Sequence, residues 1–352
     1  MKILYKLIYL ILILIIPVLL FELYSHSFVN EDQLDDSNLW ANYTQQELDT
    51  TLSNFHIRTG SNCMEKITPT WHHKIGFKDK DVNFDCLKKH FSNNKIKIAF
   101  FGGSVMESTY YKNYLTSIDW QVINDMENAH SINFAQSGSR LSNELSSFIE
   151  MLKYSKPDIA VFLDGANEFN SIKYNDGMPD EDFYWTVWAK KRIEDPHKIY
   201  LDKIIEKSAT AKVILVDIFK YVPSNLIKNK KIKKEEIIKA ANDYIHIKNI
   251  IKSLCKINDI ECLFFLQPII HTTEFLGDDL SKKIKERFLI YYPNNEFIYK
   301  VGYNNILNEN DVIDLSNILS QVDYAFIDEF HLNKNGSKII AEEIRRNILK
   351  NL

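Results

Sequence analysis

Four short polar clusters in this chain combine residue types that can move protons and hold developing negative charge: Gly102-Gly103-Ser104, Ser137-Gly138-Ser139, Gly165-Ala166-Asn167-Glu168 and Asp328-Glu329-Phe330-His331. A serine hydroxyl is a weak nucleophile until a base takes its proton, and an imidazole suits that task near neutral pH. Asp328 stands three residues before His331, within reach of the ring. A carboxylate there fixes the tautomer and favours the imidazolium that forms on proton transfer. Ser104 would attack, His331 would serve as base and then as acid, and Asp328 would orient it. The backbone N–H groups of Ser104 and Gly138 and the side-chain amide of Asn167 would donate three hydrogen bonds to an oxyanion, where one donor is worth about 3–4 kcal/mol. Taken singly, each cluster has a plainer reading: a strand-to-helix turn at Ser104, a helix-entry glycine at 138, a turn residue at Asn167, and a surface Asp with a helix-flanking His. Their order along the chain carries the argument.

Something must bring these clusters together. From residue 95, short apolar runs alternate with amphipathic stretches, the signature of βαβ units around a parallel sheet. Strands are expected at Lys97–Phe101, Ser131–Phe134, Asp158–Leu163, Glu261–Leu266 and Tyr324–Ile327. Helices are expected at Tyr110–Met126, Leu141–Tyr154, Lys234–Ile257 and Ser337–Leu349, with a further helical region up to about Gln321 and Asn335-Gly336 marking the turn before the last helix. Lys212–Phe219 is read as helix rather than strand. In an open parallel sheet, ligands bind in the crevice at the carboxyl ends of the strands, and each polar cluster follows a predicted strand.

In this order the clusters resemble the conserved blocks of the SGNH hydrolases, the GDSL-like esterase/lipase family. Gly102-Gly103-Ser104 is similar to the G-D-S block, with Gly103 in place of the acid. Asn133, Ser137 and Gly138 fit an N-x-x-x-S-G run, Gly165-Ala166-Asn167-Glu168 fits G-x-N-D with Glu168 for aspartate, and Asp328 with His331 fits D-x-x-H. The resemblance covers roughly residues 95–350. It implies a three-layer α/β/α sandwich with a five-stranded parallel sheet of flavodoxin-like type, and catalysis through an acyl-enzyme without metal or cofactor. Ser104, Asp328 and His331 would be catalytic, and Ser104, Gly138 and Asn167 would form the oxyanion hole. The substrate class implied is a small-molecule or glycan acyl ester, plausibly an O-acetyl group. Acyl transfer to an envelope or exopolysaccharide by the same residues is the first alternative, and an inactive binding or scaffold module of this fold is the second.

The ends of the chain add a compartment. Lys2 and Lys6 precede fifteen apolar residues, Leu7–Phe21. That length falls between a cleavable signal and a full membrane span, and Lys6 can snorkel to extend it. Residues 1–24 are read as a retained single-pass anchor, with Ser25-His26-Ser27 leaving cleavage open. In both cases the remainder is expected on the extracytoplasmic (periplasmic) side. Residues 25–94 form an acidic stalk and irregular lead-in, with one short helix near Phe84–Phe91, and residues 95–352 form the hydrolase domain.

Four cysteines are consistent with export. Of three connectivities, the local pairing Cys63–Cys86 and Cys255–Cys262 is the simplest. With 45% hydrophobic and 26% charged residues and a net charge of −4, the chain builds a core and lacks the basic patch of a nucleic-acid binder. The His72-His73 pair has no third ligand at metal-site spacing. The aromatic stretch Tyr174–Trp188 is either a lid over the crevice or a buried cluster, and His271 either lines the pocket or faces solvent.

Overall fold

In the computed structural model, the residues described are 64–66, 80–92, 95–107, 117–174, 232–276, 279–291 and 293–352. The chain divides into two compact units, residues 1–36 with 174–230 and residues 37–173 with 231–352, and the sheet and its flanking helices belong to the second. The apolar segment 7–21, Cys63, His72-His73, residues 110–116 of the first predicted helix, the aromatic stretch beyond Tyr174 and the predicted helix 212–219 lie outside the described residues. Among the described residues no helix is long and apolar enough to cross a membrane.

The sheet has five strands: β1 (Ile96–Gly102), β2 (Ala129–Asn133), β3 (Ile159–Asp164), β4 (Glu261–Leu266) and β5 (Val312–Asp314). Their order is β2-β1-β3-β4-β5, and every pairing is parallel. After β1 the chain steps outward to β2 and then returns to the other side of β1 with β3. The order therefore reverses between β1 and β3, the place where an open α/β sheet opens a crevice at its carboxyl edge.

Strands buried on both faces read as continuous apolar runs, and β3 (IAVFLD) is buried at every position. Alternate residues feed two separate cores. Phe101, Phe162 and Phe264 are in register on neighbouring strands, and their rings stack with centroids 4.8 and 5.0 Å apart. On that face they meet α4 (Leu141–Leu152), α6 (Lys234–Ile257) and α8 (Asn295–Ile306) through Phe148, Ile251 and Ile298. On the other face Phe100, Val161 and Phe265 meet α3 (Ile118–Asn124) and α9 (Lys334–Lys350) through Ile123 and Ile344. The result is helix, sheet and helix in three layers. Each fully buried Phe of this kind stabilises by about 1.5–3 kcal/mol.

The lead-in contributes a short antiparallel pair, Met64–Lys66 with Lys80–Val82, and helix α1 (Phe84–His90). Cys255 near the end of α6 is bridged to Cys262 on β4, Cα atoms 6.3 Å apart, as the local pairing predicts. Cys86 is also disulfide-bonded, and its expected partner Cys63 lies outside the described residues.

Two expectations fail near the C-terminus. The fifth strand is Val312–Asp314, within the stretch read as helical, whereas Tyr324–Ile327 is a folded loop. Tyr324 has φ 50°, Ile327 N–H donates to the His331 carbonyl, Asn333 N–H donates to the Ala325 carbonyl, and a lone bridge joins Phe326 to Leu332. Ala325 and Phe326 are fully buried, which mimics a strand in pattern, but the loop satisfies its polar backbone from within. The last helix begins earlier than expected, at Lys334. Asn333 caps it by accepting from Gly336 N–H at 3.0 Å, so Asn335-Gly336 lies in the first helical turn. A Cβ on Gly336 would stand 2.6 Å from the Ala325 carbonyl oxygen, so glycine there permits close docking on the loop.

Candidate active site

β1 delivers its chain to Gly103 and the one-turn helix α2 (Ser104–Glu107). Ser104 Oγ lies 2.7 Å from His331 Nε2, and His331 Nδ1 lies 2.7 Å from Asp328 Oδ2. The carboxylate can only accept from Nδ1–H, which leaves Nε2 as the acceptor facing the hydroxyl. The other carboxylate oxygen, Oδ1, accepts from the N–H groups of Phe330 and His331 at 2.8 Å each. Burial pushes the Asp328 pKa up, but the hydrogen bond and charge of His331 and these two N–H donors outweigh it and hold the carboxyl below its usual range. Three residues spread over 227 positions of sequence thus form one hydrogen-bonded chain.

The remaining clusters converge on the same turn. Asn133 at the end of β2 accepts from Ala135 N–H and donates to the Met106 carbonyl, both at 2.9 Å, while Gln136 N–H donates to the Gly102 carbonyl at 3.0 Å. Ser137 N–H donates to Glu107 Oε2 at 2.6 Å. Gly138 follows with φ 76°, a left-handed conformation that costs glycine little. Asn167, in the first turn of α5 (Ala166–Tyr174), donates from Nδ2 to the Ser139 carbonyl at 2.7 Å. A Cβ built on Gly103 would fall 2.4 Å from that same Nδ2. The amide therefore rests directly on the residue before Ser104, and the glycine that departs from the G-D-S pattern is what admits it.

Glu107 was not singled out in the sequence, although it stands one helical turn after Ser104. Glu168, which stands for aspartate in the G-x-N-D pattern, is structural: Oε1 accepts from Leu141 N–H at 2.9 Å and Oε2 from Gly165 N–H at 3.1 Å, joining the start of α4 to the β3–α5 turn. It is buried beside Asp164 and Glu144. Desolvation, reinforced for Glu144 and Asp164 by the charges of carboxylate neighbours, pushes all three pKa values up, those of Glu144 and Asp164 well above the usual range. His271 is fully buried, neither facing solvent nor open to a pocket. Among the described residues no group of three or more His, Cys, Asp or Glu side chains is arranged to hold a metal ion.

The profile of the GDSL-like lipase/acylhydrolase family matches residues 98–344. No curated protein matches the chain. Similar solved structures include a GDSL-like lipase from Bacteroides thetaiotaomicron at 14% identity, with 76% of this chain and 97% of that one covered and a TM-score of 0.38. An acetyl xylan esterase from Geobacillus stearothermophilus aligns at 14% identity over 72% of this chain and 94% of its own, TM-score 0.36. A lipolytic protein of the G-D-S-L family from Veillonella parvula aligns at 14% over 70% and 94%, TM-score 0.34.

Proposed function

The chain belongs to the GDSL-like lipase/acylhydrolase family and is an ester hydrolase, and from that premise we propose that it cleaves acyl esters through a covalent acyl-Ser104 intermediate, with O-acetyl groups on a glycan as the substrate class. The observation that carries the reading is the hydrogen-bonded chain Ser104–His331–Asp328 at 2.7 Å per step. Ser104 attacks the ester carbonyl while its proton passes to His331 Nε2. Asp328 stabilises the imidazolium without taking the proton. The imidazolium then protonates the leaving alkoxide, and a water activated by the same base releases the acid. Charge on the tetrahedral oxygen is met by N–H groups at Ser104 and Gly138 and by the Asn167 amide. Support for the last comes from its contact with the Gly103–Ser104 turn.

The extracytoplasmic setting is part of the proposal. It rests on the basic and apolar N-terminus, residues 1–24 as anchor, 25–94 as stalk and lead-in and 95–352 as the working domain, together with cysteines that are disulfide-bonded. O-acylated envelope and environmental polysaccharides are the substrates that fit such a setting.

The deciding experiment treats the purified protein with a fluorophosphonate probe and then with acetylated oligosaccharides and aryl esters of graded chain length. Labelling that disappears in Ser104→Ala, with acetate release that added unacetylated oligosaccharide does not divert, supports hydrolysis. Diversion of acetate onto the added sugar would instead make the chain an acyltransferase. An intact, folded protein that takes up no probe would return it to the class of binding modules.

A further inference from the structure

The loop that carries Asp328 and His331 also carries, between them, a buried carboxylate that the proposed chemistry does not use. Glu329 Oε2 accepts from His271 Nε2 at 3.0 Å and from Asn295 Nδ2 at 2.8 Å. The Glu329 carbonyl accepts from Ile270 N–H at 3.0 Å, so its main chain and side chain are both held by the segment after β4. The three side chains come from three places: the β4 exit, the first residue of α8, and the loop itself. His271 is fully buried, Asn295 is 1% exposed and Glu329 7% exposed. The His271 ring lies parallel to Tyr299, centroids 5.9 Å apart, and Tyr299 meets the edge of Phe330 at 5.8 Å and 70°.

Glu329 is thus seated in the protein interior and Phe330, partly buried, packs against the core, while Asp328 and His331 on either side make the hydrogen bonds to one another and to Ser104. A small rotation of this four-residue loop cannot move one pair without the other.

We propose that His271, Asn295 and Glu329 form a clamp of positioning residues that sets the Asp328–His331 loop at the distance from Ser104 that proton transfer requires. The proposal rests on the esterase reading for its kinetic consequence. A bare alanine at 329 removes the acceptor that both groups share, leaves them only their 3.2 Å contact with each other, and frees the loop. A displacement of about 1 Å at a reacting group can cost about 100-fold, so kcat falls by about 10- to 100-fold with KM unchanged, because the clamp touches no substrate. Glu329→Gln keeps an oxygen able to accept from both donors and restores most of the rate.

An ordinary buried ion pair would lower stability without that split. The test measures kcat, KM and thermal unfolding for Glu329→Ala, Glu329→Gln and Asn295→Ala, with the proton resonance of His331 Nδ1–H recorded in each. The expected result is a broadened or shifted His331 resonance and reduced kcat in Glu329→Ala, a smaller change in the same direction in Asn295→Ala, and near wild-type behaviour in Glu329→Gln. A cooperatively folding Glu329→Ala protein with wild-type kcat and an unmoved His331 resonance overturns the proposal. If that variant does not fold, the same two readouts in Asn295→Ala decide it. Should wild-type Ser104 take up no fluorophosphonate, the esterase reading falls alone, since the resonance reports on the clamp without any turnover.

Discussion

Gly103→Ala is the sharpest perturbation the site offers, because it adds one methyl at a position where family members ordinarily carry a larger side chain. In this chain the added Cβ would stand 2.4 Å from Asn167 Nδ2, whereas ordinary contact begins at 3.4 Å. The amide must retreat by about 1 Å, and it cannot do so while keeping its 2.7 Å bond to the Ser139 carbonyl. Losing one oxyanion donor costs about 100- to 1,000-fold in kcat, and a misplacement of this size is of the same order. The ground-state ester makes little use of that donor, so KM is expected to hold. Steady-state kinetics on an aryl acetate, paired with thermal unfolding to show the fold intact, make the measurement. The opposite substitution, Asn167→Ala in the Gly103→Ala background, relieves the clash and should cause little further loss. If Gly103→Ala turns over within about threefold of wild type, the assignment of Asn167 to the oxyanion is wrong.

Three further outcomes follow from contacts described above. In Asp328→Asn the amide oxygen is held by the N–H groups of Phe330 and His331, so the NH2 must face His331 Nδ1 and enforce the wrong tautomer; kcat should drop by about 10⁴-fold with unfolding temperature little changed. Glu144 keeps its proton in the fold at pH values where the unfolded chain has released it, so its contribution is full below about pH 4.3 and is lost as pH rises from there towards its raised folded-state pKa. Glu144→Gln should accordingly flatten the alkaline decline of the unfolding temperature, and parallel pH profiles for the two proteins would refute this. Gly302→Ala would drive a Cβ to 2.3 Å from the ring of fully buried Phe169, and equilibrium denaturation should show a loss of about 1–3 kcal/mol from overpacking.

The central strands were legible in sequence because both their faces are buried. Ile98–Phe101, Ile159–Leu163 and Cys262–Leu266 are unbroken apolar runs, each led by a charged residue, and α6 and β4 have the bounds read from their patterns. β5 was not legible: Val312-Ile313-Asp314 is three residues at a sheet edge, too short to show a period, while the buried Ala325 and Phe326 imitated it from a loop. At the site, the residues that a Ser–His–Asp chain requires could be found from type and order. Glu107 and Asn295 were not found, and the contacts of His271 and Glu329 were not foreseen, since each matters through a partner 24 to 58 positions away that only packing selects. Glu168 lies between these cases, found as part of a motif but understood only once its bonds to Leu141 and Gly165 are seen.

The bond between Ser104 and His331 also says when this protein can become reactive. It closes over 227 positions, and β1, which presents the serine, lies with its neighbours β2 and β3 far ahead of the C-terminal loop in the chain. Non-local contacts of this kind are slow to form, because loop-closure entropy is lost before they compensate for it. On the mechanism proposed above, Ser104 stays an unactivated alcohol until α9 and the loop ahead of it dock, so a truncated or partly folded copy would carry the nucleophile without the means to use it. On the proposed role of Ser104, reactivity is a mark of completed folding, and removing the last helix together with the loop that carries Asp328 and His331 would silence the serine.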